Sequence, residues 1–426
     1  MNILMVSNTY PPHVGGVARS VESFTKALRS RGHRVIVVAP EFEGGKGDEE
    51  DIVRVPAIKD FKGSGFSVSL PIPGYLDMNL PKDFKPDLIH SHYPFLLGAT
   101  ALRLSASYSA PIVFTHHTMY EHYTHYASED SQILKDYAKD FATKYANLCD
   151  RVIAPSQSVR AILENRGVDV PISCIPTGID IDEFSKEESY DMRAKLRIPE
   201  DDFVIGHVGR LSEEKNISFL ANAIAKTLDE NEKAHLLLVG DGAKRSSFRQ
   251  AIGDNSKRLH DLGILLDGDL TAAYGAMDVF AFASLTETQG MVLAEAMAAG
   301  VPVVALDAPG VREVVDHLKT GLLIEGRDEE LFAASLKHMD KLDPESAKCY
   351  SRLAKEKAAE FSLSNTVEDL LSLYEELKDK STKEGKEKDL WDQVTQAAEA
   401  EVQVWGAILK SFTTVITGRG EKEGSP

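Results

Sequence analysis

The chain has 426 residues, a length at which one hydrophobic core usually gives way to two domains, here of roughly 180 residues each. Its formal net charge of -18 excludes nucleic acid as the main partner, because a phosphate backbone needs clustered Lys and Arg. Cys149, Cys174 and Cys349 are too few and too widely spaced for a disulfide framework or a metal-ligand set, which suits a reducing compartment.

Asn2 to Val6 reads as a short apolar strand that passes into Ser7-Asn8-Thr9-Tyr10-Pro11-Pro12-His13-Val14-Gly15-Gly16, and Val17 to Ser30 then has helical spacing. Strand, glycine-containing loop and helix open a nucleotide-type α/β domain, although Gly15-Gly16 is not a GxGxxG fingerprint. The opening MNILMVSNTYPPHVGG has neither the basic region nor the long apolar stretch of a signal peptide, and no run of about 18 apolar residues follows. A cytoplasmic protein is expected, with peripheral contact at the inner face of the cell membrane left open.

Further strands are predicted in VIVVA at 35–39, PDLIHSH at 86–92, PIVFTHH at 111–117 and RVIAPS at 151–156. Residues 41–81 are punctuated by Gly and Pro and carry Phe61, Phe66, Leu70, Ile72, Tyr75 and Leu76. They read equally as a loop or hairpin over a ligand site and as a plain surface insertion. Thr115-His116-His117-Thr118 falls where a strand ends, the place where open α/β sheets bind ligands. An imidazole there can hydrogen-bond a sugar hydroxyl, or it can simply cap the strand; zinc is set aside because no Cys or carboxylate comes at a supporting spacing. Residues 119–150 read as a long helical stretch with Tyr120, Tyr123, Tyr126, Tyr137 and Tyr145, rings that suit either a core or a lipid–water boundary. Arg19, Lys26, Arg29, Arg31 and Arg34 form a local basic cluster, either a solvated helix face or an attachment to an anionic bilayer.

Acidic residues 182–191 read as the connection to a second α/β series. Its strands are predicted in FVIGHVGRL at 203–211, HLLLVGDG at 235–242, GILLDGD at 263–269, VFAFAS at 279–284, VPVVAL at 301–306 and GLLI at 321–324. Arg210 and Lys215 follow the first of these and Gly209, so a guanidinium and an ammonium sit on one loop and can hold phosphate oxygens. From Ser284 to Ala305, SLTETQGMVLAEAMAAGVPVVA reads as loop, helix, turn and strand. Glu287 and Glu295 are eight apart, a spacing that lets both carboxylates face one cavity and accept from sugar or ribose hydroxyls. Gly290 between them allows close approach to the backbone, and the free amides of Gly290, Met291 and Val292 suit a diphosphate. Residues 362–377 form an amphipathic helix capped by Ser362 or Ser364. After the charged linker DKSTKEGKEKD, a second amphipathic helix spans 390–416 with Trp391 and Trp405; it suits docking on the protein or on a partner better than a membrane, since Lys410 is its only base.

The two Glu with Gly between them and EAMAAGVPVVA following resemble the donor-site signature of family 4 retaining glycosyltransferases, and the resemblance runs from Met1 to about Leu377. It implies a GT-B fold: two Rossmann-like α/β domains facing a central cleft, here with a C-terminal helical tail. The boundaries expected are an acceptor-binding domain at 1–180, a nucleotide-sugar-binding domain at 181–362, a closing helix at 363–378, and a linker and tail at 379–426. By matching positions it assigns His117 as the active-site histidine, Arg210 and Lys215 as phosphate ligands, Glu287 to sugar hydroxyls and Glu295 to the ribose. Gly16, Gly240, Gln289, Gly290, Met291 and Val292 complete the donor-binding set. The run Thr115 to Tyr126 and the loop Glu287-Thr288-Gln289-Gly290 resemble the diacylglycerol glucosyltransferase branch, which implies acceptor contacts from Tyr120, Tyr123 and Tyr126. No metal or other cofactor is expected. Asp267-Gly268-Asp269 is read as a turn, because GT-B enzymes use Arg, Lys and helix N-termini where DxD enzymes use a metal.

The expected function is retaining transfer of a hexose from a nucleoside-diphosphate sugar such as UDP-glucose to a lipid hydroxyl, diacylglycerol or a glycolipid. Two alternatives stand beside it: a glycosyltransferase acting on a soluble acceptor, and a non-catalytic nucleotide-sugar-binding protein.

Overall fold

The computed structural model describes residues 1–42, 50–59, 67–70, 75–122, 132–185 and 191–380. The chain forms two compact units. One comprises Met1–Pro155, Arg160–Ile175 and the chain from Val367; the other comprises Ser156–Val159 and Pro176–Thr366.

In chain order the first unit contains β1 (Asn2–Val6), α1 (Gly16–Ser30), β2 (Arg34–Pro40), β3 (Ile52–Val55), β4 (Ala57–Ile58), β5 (Val68–Ser69), α2 (Tyr75–Asn79), β6 (Leu88–Ser91), α3 (Leu97–Tyr108), β7 (Ile112–Thr115), α4 (Gln132–Asn147), β8 (Arg151–Ala154), most of α5 (Gln157–Asn165) and β9 (Ile172–Cys174). Seven strands pair in parallel in the order β3-β2-β1-β6-β7-β8-β9. Ile3 to Val6 and Val35 to Ala39 are at most 1% exposed, as uninterrupted apolar runs must be when helices cover both sheet faces. The edge strands β3 and β9 are missed by periodicity, because IVRV and ISC are too short for a period to show. Within 41–81 the chain makes β3 and the antiparallel β4–β5 pair; Leu70 is 38% exposed whereas Leu76 is buried, and Phe61, Phe66 and Ile72 lie outside the described residues.

One expectation for this unit is corrected: the stretch expected to be helical over 119–150 includes a single 3-10 turn, Tyr120–His122, ahead of α4, and Tyr123 and Tyr126 lie outside the described residues. The basic cluster lies at the surface of the first unit and makes local contacts there. Arg29 donates to the Val35 and Asp51 carbonyls and Arg31 to that of Ala27, while Arg34 pairs with Asp83 at 2.7 Å and Lys26 with Glu22 at 2.6 Å. The Lys26 and Arg34 side chains stay 72% and 36% exposed, so their pairs are of the weak, solvent-screened kind.

The second unit contains α6 (Ile181–Ser185), α7 (Met192–Leu196), β10 (Phe203–Val208), α8 (Ile217–Glu230), β11 (Ala234–Val239), α9 (Arg245–Ile252), β12 (Leu259–Gly263), α10 (Asp267–Gly275), β13 (Val279–Phe282), α11 (Met291–Ala298), β14 (Val303–Leu306), β15 (Gly321–Ile324), α12 (Glu329–Asp340) and α13 (Pro344–Ala358). Its six strands are parallel in the order β12-β11-β10-β13-β14-β15. That is the doubly wound order, which reverses direction between β10 and β13 and opens a crevice at the carboxyl ends of those strands. Phe280, Leu293, Met297 and Val303 are fully buried in its core, each contributing about 1.5–3 kcal/mol over the exposed state. One strand is displaced from its expected place. Apolar Ile264, Leu265 and Leu266 are a loop, and the strand is Leu259–Gly263, which pairs with β11 and ends where Gly263 turns to φ +68°. Asp267-Gly268-Asp269, expected as a turn, opens α10.

The last helix, α14 (Leu363–Lys380), runs from the second unit into the first, and the Ser362 hydroxyl accepts from the Asn365 amide at 3.3 Å as its cap. The tail expected at 390–416 lies outside the described residues. No helix among the described residues is long and apolar enough to cross a membrane.

Candidate active site

In the second unit, the loops leaving β10 and β13 are tied together at the crevice where the strand order reverses. Asn216 adopts φ +55°, a conformation Asn tolerates, and its amide donates to the Ala283 carbonyl at 3.2 Å. Thr286 donates to the Glu214 carbonyl at 3.3 Å. These bonds place Lys215, in the 3-10 turn Glu213–Lys215, against Glu287, and the ammonium donates to the carboxylate within an ion pair. The two side chains are only 20% and 13% exposed, so each needs a compensating charge whenever no ligand supplies one. Arg210, on the same loop, is partly buried. Beside it the exits of β10 and β11 approach so closely that a Cβ on Gly240, at φ +131°, would lie 1.9 Å from the Gly209 carbonyl oxygen. Only glycine fits there.

Gly290 at φ +74° is the N-cap of α11 and offers no side-chain cap, so the first amides of that helix face the crevice unsatisfied by side chains. Glu295, one turn into the helix, is 1% exposed, and the Tyr274 hydroxyl donates to it at 2.8 Å. Glu287 and Glu295 are thus held by different partners, Lys215 and Tyr274. Gln289 was expected to meet the donor, but its side-chain amide is committed elsewhere: Oε1 accepts from the Thr177 amide at 2.6 Å and Nε2 donates to the Thr177 carbonyl at 2.7 Å. Its side chain shapes the loop, which leaves only its main chain for a ligand. Partners 112 residues apart carry no sequence signal of this clamp. A cavity of about 500 Å³, lined by Phe203, Met277, Asp278, Val301 and Pro302, lies at the amino-terminal ends of the same strands, the edge where doubly wound sheets do not bind ligands.

In the first unit, Gly16 opens α1 without positive φ, and a Cβ on it would meet nothing within 4 Å. No left-handed turn requires this glycine, and the space beside it is open. His117 follows β7 and its Nε2 lies 2.9 Å from His92 Nδ1. Withdrawal from water holds His117 and His90 down to about 3 and His116 to about 4, and takes His92 well below its ordinary value. All four are neutral at pH 7. Tyr120 stacks edge-on against Phe95 and His116, and its buried hydroxyl has no partner among the described residues. Tyr145 is a core residue, donating to the Ser91 hydroxyl at 2.7 Å. Among the described residues no group of three or more His, Cys, Asp or Glu is placed to hold a metal ion.

Comparison with known proteins extends this picture. Residues 14–183 match the model of Glycosyltransferase Family 4, and residues 202–340 match that of Glycosyl transferases group 1. The D-inositol 3-phosphate glycosyltransferase of Corynebacterium jeikeium is 31% identical over 68% of this chain and 72% of its own length. Two proteins named alpha-monoglucosyldiacylglycerol synthase are also similar. That of Acholeplasma laidlawii is 28% identical over 90% of this chain and 99% of its own; that of Streptococcus pneumoniae is 29% identical over 77% and 76%. Among solved structures, a sucrose-phosphate synthase from Thermosynechococcus elongatus superposes with a TM-score of 0.70 at 23% identity, covering 88% of this chain and 98% of that one. An Anabaena protein in complex with UDP gives 0.68 at 21% identity, covering 88% and 100%. At these identities the two structures show the fold, GT-B, and no more.

Proposed function

The chain belongs to glycosyltransferase family 4 and is a hexosyltransferase that uses a nucleotide sugar; from that premise we propose that it moves glucose from UDP-glucose to the free hydroxyl of diacylglycerol or a glycolipid, with retention at C1. The observation that carries the donor half of this reading is the Lys215–Glu287 pair at the reversal point of the second sheet, beside the uncapped start of α11. Without donor each charge satisfies the other. With donor bound, Lys215 and Arg210 turn to the diphosphate and Glu287 to the sugar hydroxyls, so nothing charged is left bare. Glu295 holds the ribose.

In the reaction the bond from C1 to the diphosphate oxygen breaks, the acceptor oxygen bonds to C1 on the same face, and the acceptor proton passes to the departing diphosphate. Lys215, Arg210 and the Gly290–Met291 amides stabilise the charge that grows on the leaving group. His117, neutral, serves the transfer as a hydrogen-bond partner that tolerates an oxocarbenium-like centre.

Two relatives named for glucosyldiacylglycerol synthesis support the lipid acceptor. Peripheral attachment through the first unit goes with this reading, and Met78 and Ile133, at 75% and 80% exposure, are apolar side chains there that a bilayer surface would cover. The relative named for D-inositol 3-phosphate favours the second reading, a soluble acceptor. A nucleotide screen tests the donor: UDP is expected to raise the melting temperature more than GDP at equal concentration, and the reverse order would put a guanine nucleotide in its place.

A further inference from the structure

His90 stands in β6, between β1 and β7 in the first sheet, and none of its surface is exposed. Burial keeps it neutral at pH 7, so the ring carries one N–H and one bare nitrogen, and each needs a partner away from water. Both are met by hydroxyls, which give or take as the nitrogen requires. Nδ1 lies 2.5 Å from the Tyr374 hydroxyl of α14, and Nε2 lies 2.7 Å from the hydroxyl of Thr115, the last residue of β7. Tyr374 is itself fully buried, and its ring meets that of His90 edge-on. Two further ties of this end of the helix, Glu376 to Arg151 and Lys378 to Asp87, leave Glu376 and Lys378 43% and 47% exposed and are of the kind that solvent screens. From His90 two short paths lead to His117. Thr115 precedes His116 and His117 directly in the chain. The face of His90 also carries the His92 ring, with centroids 4.0 Å apart, and His92 stacks in turn on His117 with its Nδ1 2.9 Å from His117 Nε2.

We propose that Tyr374 is a positioning residue of the transfer site: its hydroxyl fixes the His90 ring, and through that ring the end of β7 and the His92 ring on which His117 stacks. The last torsion of a histidine side chain is broad and roughly two-fold, so packing alone sets the angle of the ring loosely. Hydrogen bonds at both nitrogens define it. With the Tyr374 oxygen gone, one nitrogen of a fully buried imidazole is left without its bond, and the ring is held at one edge only. Tyr374 touches no substrate in this account; it acts across 284 residues of sequence, through His90. The inference rests on the reading of His117 as a residue of the transfer reaction.

The test uses the full chain and two variants that each remove one hydroxyl. Tyr374→Phe keeps the ring, and Thr115→Val keeps the branched shape. In protein made with isotope-labelled histidine, the ring resonances of His92 and His117 are expected to shift in Tyr374→Phe. Its kcat with UDP-glucose and diacylglycerol vesicles, measured below its own melting transition, is expected to fall about tenfold at an unchanged donor KM. Thr115→Val is expected to cost as much, and the double variant no more than either, because each single change has already freed the same ring. A role confined to stability would lower the melting temperature alone, so wild-type kcat in a folded Tyr374→Phe overturns the proposal. Losses that multiply to about a hundredfold in the double variant also overturn it, since the two residues would then act apart. If Tyr374→Phe does not fold, Thr115→Val decides, and wild-type kcat there is again a refutation. Unshifted His92 and His117 rings in Tyr374→Phe overturn the proposal whatever the substrates prove to be. Separately, wild-type turnover by His117→Ala refutes the role of His117 in the reaction, and with it the positioning role of Tyr374, even where the rings shift.

Discussion

Lys215→Ala is expected to lower kcat by ~100-fold or more while the second unit stays folded, the scale of losing one charge ligand to a departing diphosphate. The ammonium is held by the turn Glu213–Lys215, by Asn216 in its left-handed conformation and by the Thr286–Glu214 bond, none of which alanine disturbs. The variant does strand the Glu287 carboxylate at 13% exposure, so some stability is lost with the charge. Measuring kcat at saturating donor below the variant's own melting transition separates the two effects. Near-wild-type kcat there would remove Lys215 from the phosphate site.

Glu287→Gln keeps the shape of the loop and removes the acceptor strength that sugar hydroxyls need. The expected result is a fall in kcat of ~100-fold with UDP affinity unchanged or tighter, because UDP carries no sugar and because Lys215, released from its partner, turns more readily to phosphate. Turnover assays beside UDP titration calorimetry check both halves. A UDP affinity that falls as far as kcat would mean that Glu287 meets the nucleotide and not the sugar.

The local parts of this site are the ones that could be read in the chain. Gly209-Arg210 follows a strand in sequence and follows β10 in the fold, and Gly290 sits where a helix start was expected and is the N-cap of α11. What is hidden is pairing across distance. Glu287 and Lys215 were each picked out for a ligand, yet their mutual ion pair spans 72 residues; Gln289 clamps Thr177 across 112, and Tyr274 reaches Glu295 across 21. Periodicity sees only neighbours. It also mistakes any short apolar run for a strand, as at 264–266, where Gly263 has already ended β12. The contacts of the basic residues 19–34 are hidden in the same way: that Arg29 donates to the Val35 carbonyl depends on how α1 lies against β2.

The central claim, glucosyl transfer to a lipid hydroxyl with retention, is tested most directly by incubating the purified chain with UDP-glucose and vesicles containing diacylglycerol, then resolving the lipid extract by mass spectrometry and proton NMR. The account predicts a product one hexose heavier than diacylglycerol with the α-configuration at C1. No hexosyl lipid, together with efficient transfer to inositol phosphate or another soluble acceptor, would contradict it and put the soluble-acceptor reading in its place.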